Sequence, residues 1–127
     1  MFNLKFYYCT HCGNIAVKAV DAGVPLVCCG EKMVQLVPGS VDAAQEKHVP
    51  VICQDGATVT VSVGEVDHPM QEDHFIQFIA LETTAGLQLA KLAPGDAPVA
   101  TFALAEGVTA VAAYEHCNKH GLWVAQA

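Results

Sequence analysis

Thr58-Val59-Thr60-Val61-Ser62-Val63 alternates a valine with a hydroxyl side chain at every step. Successive side chains on a strand point to opposite faces, so this stretch predicts a strand with its valines inward and its hydroxyls in water. The pattern extends outward from there. Residues 74–82, His-Phe-Ile-Gln-Phe-Ile-Ala-Leu-Glu, form a β-branched and aromatic run. Thr83-Thr84-Ala85-Gly86 then reads as a hairpin turn into Leu87-Gln88-Leu89. Pro94-Gly95-Asp96 and Glu106-Gly107 divide the remainder into further short strands. Residues 97–114 are rich in alanine, which favours helix, but Pro98, Gly107 and the valine and threonine content favour strands. Turns at this spacing predict an all-β chain built on a sandwich.

The N-terminal part predicts shorter strands, Leu4–Tyr8, Ile15–Val20 and Met33–Val37, with a turn at Asp21-Ala22-Gly23-Val24-Pro25. Pro38-Gly39 is the natural boundary, giving a module over residues 1–37 and a sandwich over 38–127. At 127 residues the whole can bury roughly two-thirds of its unfolded surface. The module alone is shorter than the roughly 40 residues below which a metal, disulfide or partner is usually needed.

The chain is acidic, with a formal net charge of −7 and six basic residues, all lysine. Nucleic acid is thereby excluded as an expected partner, because phosphate neutralisation needs clustered Lys or Arg. No apolar run approaches the roughly 20 residues of a membrane span, and Met1 to Tyr8 lacks a signal-peptide pattern. The expectation is a cytoplasmic protein with reduced thiols and no membrane partner.

Two sets of side chains carry chemistry. Cys9-Thr10-His11-Cys12-Gly13 has the form of a metal knuckle: two intervening residues let both sulfurs face one ion, and Gly13 relieves the turn. Cys28-Cys29 follows after fifteen residues and completes four thiolates. Adjacent residues of a strand face opposite ways, so the pair can meet one ion only through distorted backbone. Zinc and iron both suit four sulfurs, and spacing does not choose between them. His11 is surplus to four sulfurs and reads as a solvated loop residue.

The second set is Cys117-Asn118-Lys119-His120 with His48, His68 and His74. His48 precedes Pro50 and His68 precedes Pro69, loop-like settings where a sandwich can gather distant ligands. Four imidazoles and a thiolate exceed zinc's usual four-coordination and suit iron with one of six positions open. A thiolate opposite that position would push electron density towards a bound substrate, and an open position on reduced iron invites a dioxygen species. Lys47 can place a cation beside it and attract an anion; taken as isolated residues, Glu46 and Lys47 read first as a solvated charge pair. Strand alternation turns His116 away from Cys117. Cys53, after Val51-Ile52, reads as a buried inert thiol.

Taken in order, Tyr8-Cys9-x2-Cys12-Gly13-Asn14, Val27-Cys28-Cys29-Gly30, Asp42-Ala43-Ala44-x-Glu46-Lys47-His48-Val49-Pro50, His68-Pro69-Met70, His74 and Cys117-Asn118-x-His120-Gly121-Leu122-Trp123 resemble the desulfoferrodoxins, the two-iron class of superoxide reductase. The resemblance covers essentially the whole chain and departs at no ligand position. It implies a desulforedoxin-like N-terminal module with iron on Cys9, Cys12, Cys28 and Cys29. It implies an immunoglobulin-like β-sandwich, usually in a homodimer, with a second mononuclear iron on His48, His68, His74 and His120 in a plane and Cys117 axial. The reaction implied is one-electron reduction of superoxide to hydrogen peroxide. Lys47 matches the family lysine that attracts superoxide, and Glu46 the glutamate that occupies the sixth position of the oxidised iron. His116 stands where the family often has an aromatic residue. A rubredoxin is the usual electron donor. A pure electron carrier and a zinc-clipped binding sandwich are the other functions these residues can serve.

Overall fold

The computed structural model describes residues 3–127. These divide into two compact units, Asn3–Val37 and Pro38–Ala127. The expected 1–37 module begins at Met1 and Phe2, which lie outside the described residues.

The first unit is built from two-residue strands: β1 (Tyr7–Tyr8), β2 (Ile15–Ala16), β3 (Val27–Cys28), β4 (Glu31–Lys32) and β5 (Val34–Gln35). They form a β2-β1-β5 sheet and a β3-β4 hairpin, all pairs antiparallel. These strands are shorter than the sequence predicts because the chain must turn through two cysteine knuckles within 35 residues. Asp21 Oδ1 accepts from the Gly23 amide at 2.8 Å and from Lys18 Nζ at 3.0 Å, which closes the turn between the knuckles.

In the second unit, a single helical turn, α1 (Gln45–His48), leads into a seven-stranded sandwich. One sheet has the order β10 (Val99–Ala103), β7 (Thr58–Val63), β6 (Pro50–Asp55). The other runs β12 (Gly121–Gln126), β11 (Ala110–Cys117), β8 (Ile76–Thr83), β9 (Gly86–Lys91). Every pairing is antiparallel, as in an immunoglobulin-like fold. The predicted alternation holds on β7: Val59, Val61 and Val63 are buried while Thr58, Thr60 and Ser62 face out. They meet Ile76, Ile79, Leu81, Phe102 and Ala113 in one core. The alanine-rich stretch does form two strands, β10 and β11, because the small side chains at Ala112 and Ala113 are fully buried in a central strand. The Thr83–Gly86 hairpin forms as read, its turn closed by the Thr83 hydroxyl, which donates to Gly86 O at 2.9 Å and accepts from the Ala85 amide at 3.1 Å.

Two sequence expectations are corrected. His48 lies in a helical turn, not a loop; four residues are too few to show a 3.6-residue period. Cys53 is exposed, not buried. It lies on β6, an edge strand, pairs with Thr60 of β7, and shares the hydroxyl face of its sheet while Ile52 packs on the core. The unbroken run Val51-Ile52-Cys53 hides that alternation.

Candidate metal centres

The first unit brings Cys9, Cys12, Cys28 and Cys29 together, with their sulfurs within 4.8 Å of one another. The Cys12 and Cys28 sulfurs are 3.6 Å apart, far beyond a disulfide bond of about 2.05 Å. A tetrahedron with metal–sulfur bonds of about 2.3 Å has edges of about 3.8 Å, so the spacing fits one tetrahedral ion. Cys29 has φ +52°, alone among the described non-glycine residues in the left-handed region. This is the distortion that adjacent cysteines require. Amide donors surround the sulfurs: Cys12 N to Cys9 Sγ at 3.5 Å, Asn14 N to Cys12 Sγ at 3.4 Å, and Asn14 Nδ2 to Cys28 Sγ at 3.7 Å. The Cys12 backbone amide leads in drawing the Cys9 thiol down to about 6. Neighbouring thiols, Cys9 first, push Cys29 up to about 12, and Cys12 heads the causes that raise Cys28. Four sulfurs so close resist full ionisation until a cation sits among them. His11 stays outside the group, paired with Glu31 at 3.1 Å on the surface.

In the sandwich, three segments converge on the second group: α1 brings His48, the β7–β8 connection brings His68 and His74, and the end of β11 with the turn into β12 brings Cys117 and His120. His48 Nδ1 donates to Ala44 O and His68 Nδ1 to Pro69 O, both at 2.7 Å. Each ring therefore carries its proton outward and its Nε2 lone pair inward. His48 Nε2 lies 3.1 Å from His68 Nε2 and 3.1 Å from His120 Nδ1. The His74 Nε2 is buried with no hydrogen-bond partner. The ring centroids trace a closed square, His48–His68 4.7 Å, His68–His74 4.7 Å, His74–His120 5.1 Å and His120–His48 4.9 Å, with neighbouring planes 76° to 90° apart.

Lone pairs facing one another with no proton between them are what a cation explains and a hydrogen-bond network does not. A square of side 3.1 Å has its centre about 2.2 Å from each corner, close to the metal–imidazole bond of about 2.0–2.1 Å. Burial lowers the His48 and His74 imidazoles and takes His68 down to about 4, which keeps them neutral and ligand-ready. Cys117 comes from the core side, fully buried, with Sγ 3.9 Å from His120 Nδ1. Burial raises its thiol, while the Lys119 and His120 amides oppose that shift.

Cys117 ends β11 just past a register shift against β8, and its thiol belongs to the group. His116 lies on the opposite face, stacked on Phe78 at 5.9 Å and donating from Nδ1 to Gln77 Oε1 at 2.7 Å. Glu46 and Lys47 are exposed on the helical turn that carries His48. The sequence reading quoted Trp123 in a motif but gave it no role; its ring stacks on His48 at 5.1 Å and its Nε1 donates to His120 O at 3.0 Å. The reading missed Gly64: a Cβ there would stand 2.6 Å from Glu46 O, so only glycine lets α1 lie against the end of β7. Both residues serve the site through contacts that no local pattern encodes.

Four sulfurs on a small β module and four imidazoles with one thiol on a β-sandwich define a two-centre non-haem metalloprotein. Family models agree on both parts: "Desulfoferrodoxin, N-terminal domain" matches residues 3–36 and "Desulfoferrodoxin" residues 40–126. The chain belongs to the desulfoferrodoxin family, and its two ligand groups match that family's two iron sites. It is 47% identical to a desulfoferrodoxin of Syntrophotalea carbinolica over 94% of each chain. It is 45% identical to one of Nitratidesulfovibrio vulgaris over 97% of this chain and 96% of that one. Among solved structures, the superoxide reductase from Treponema pallidum superposes with a TM-score of 0.84 at 38% identity, over 98% of this chain and 100% of that chain. A one-iron superoxide reductase from Giardia intestinalis matches 65% of this chain and 97% of its own, with a TM-score of 0.56 at 32% identity.

Proposed function

We propose that this chain is a superoxide reductase whose catalytic centre is the four-histidine, one-cysteine group. The observation that carries the reading is the square of four imidazoles, two of them with lone pairs fixed inward, and a buried thiol beside it. His48, His68, His74, His120 and Cys117 would hold an iron, which when bound would supply the one electron that, with two protons, converts superoxide to hydrogen peroxide without releasing dioxygen. Cys9, Cys12, Cys28 and Cys29 would hold a second mononuclear iron.

The protein's own groups do the rest. His48 and His68 hold their protons on Nδ1, against backbone carbonyls, and so present fixed lone pairs. Cys117 offers a thiol on a rigid central strand. Lys47 is the residue that draws superoxide in. Its exposed ammonium sits one residue from His48 on a chain of net charge −7 that would otherwise repel an anion. Glu46, exposed on the same helical turn, would supply a carboxylate able to bind the iron in the oxidised protein. A rubredoxin-like donor, a homodimer and a cytoplasmic location complete the reading. All six cysteines are free thiols, and among the described residues no helix is long and apolar enough to cross a membrane.

Pulse radiolysis of the pre-reduced two-iron protein tests the activity. The expected result is a fast second-order reaction that yields peroxide without matching dioxygen. No reaction in protein confirmed to hold both irons would leave an electron carrier instead. Lys47→Ala should slow the reaction most at low salt and leave both irons bound; an unchanged rate at low salt would remove the steering role.

A further inference from the structure

The four imidazoles of the sandwich group are not held in the same way. His48 and His68 each anchor their own ring, Nδ1 to a backbone carbonyl at 2.7 Å. The backbone carbonyl of His120 is held by Trp123 Nε1 at 3.0 Å. His74 differs in its ring: among the described residues that ring makes no hydrogen bond, and its neighbours are the rings of His68 and His120. Its direction must come from its backbone.

That backbone is gripped from two sides. One side is local, the paired Gln71 N to His74 O and His74 N to Gln71 O bonds at 2.9 and 3.0 Å. The other comes from more than forty residues away in sequence. Asn118 Oδ1 accepts from the Phe75 amide at 2.9 Å, and Asn118 Nδ2 donates to Asp73 O at 3.1 Å. The Asn118 amide donates to Phe75 O at 3.2 Å. One side-chain amide thus spans the peptide groups on both sides of His74. The same residue follows Cys117 directly and stands two before His120, so it ties three of the five donors to one turn.

We infer that Asn118 is a positioning residue for His74: its carboxamide holds the imidazole whose ring makes no hydrogen bond in register with Cys117 and His120. Only asparagine's planar pairing of a donor with an acceptor serves both contacts at this length. Aspartate keeps the acceptor for Phe75 N but sets an oxygen against Asp73 O, and alanine loses both. The inference rests on this group being an iron centre, as proposed above.

The test uses the full chain with both irons and measures release of iron to a chelator, followed by the absorption and electron paramagnetic resonance of each centre. Asn118→Ala should lose iron from the histidine centre about 10- to 100-fold faster, the range for residues that orient metal ligands. Asn118→Asp should fall between it and the natural chain. The four-cysteine centre should keep its release rate and spectrum in both, which separates positioning from general loosening of the fold. The decisive readout is a cycle with His74→Ala: once His74 is gone, changing Asn118 should add nothing. Additive effects in that cycle, or equal release rates in Asn118→Ala and the natural chain, would overturn the inference. Should Asn118→Ala fold poorly, Asn118→Asp decides by the same cycle. If the natural chain takes up no iron at the histidine centre, the functional reading itself fails, and this inference with it.

Discussion

Gly64→Ala is the substitution whose cost the geometry specifies most closely. Gly64 has φ +80°, and a Cβ there would lie 2.6 Å from Glu46 O and 2.7 Å from Lys47 Cα and C. All three are backbone atoms of the turn that carries His48, so no side chain can swing aside. The contact is reinforced by Gly64 N donating to Val49 O at 3.1 Å and Val66 N to Glu46 O at 3.0 Å. A non-glycine residue in the left-handed region costs about 1–2 kcal/mol, and forced overpacking adds about 1–3 kcal/mol. The total is about 2–5 kcal/mol. Gly107→Ala is the matched control, because Gly107 has φ +82° but nothing within 4 Å of its added Cβ. It should lose about 1–2 kcal/mol only. For a unit of this size each kcal/mol lowers the melting temperature by about 4–8 °C, so calorimetry of the two variants should separate them by at least about 4 °C. Gly64→Ala should also slow the superoxide reaction by displacing Glu46 and Lys47, while Gly107→Ala should not. Equal melting temperatures for the two variants would refute the close-approach argument, and with it the claim that Gly64 seats the helical turn.

Three further outcomes are expected of the two centres. Cys117→Ser should abolish the thiolate-to-iron absorption of the histidine centre and spare that of the four-cysteine centre; loss of neither band would show that Cys117 is not a ligand. In the metal-free chain the raised thiols of Cys28 and Cys29 keep their protons at pH 7, so metal uptake there should release protons and tighten as pH rises. Calorimetric titration in buffers of different ionisation enthalpy checks this, and heats that do not depend on the buffer would contradict it. Trp123, the sole tryptophan, lies 5.1 Å from the His48 ring, so iron in the histidine centre should quench its fluorescence and a chelator should restore it. Unchanged emission through that cycle would put the iron elsewhere.

The parts of this molecule that were legible in its sequence are those with a local physical signature. Valines alternating with hydroxyls on β7 report a half-buried strand because side-chain direction has a period of two. Cysteines two residues apart report a knuckle because a tight turn brings their sulfurs together. The adjacency of Cys28 and Cys29 announced a strained backbone, and Cys29 carries it at φ +52°. The errors have equally local causes. A one-turn helix has no period to detect, and the edge position that exposes Cys53 is a property of the sheet order and not of its neighbours in sequence.

By itself, then, the sequence determined the strand character of the chain and the kinds of donor atoms it offers, since both follow from residue type and short spacing. Only the tertiary structure decided how those donors meet. His48, His68, His74 and His120 are spread over 73 residues. The square they make depends on the stacking of two sheets, the grip of Asn118 on distant backbone, and the stacking of Trp123 on the distant His48 ring. Such long-range contacts are set by packing and hydrogen-bond satisfaction across the whole domain, which no window of sequence contains.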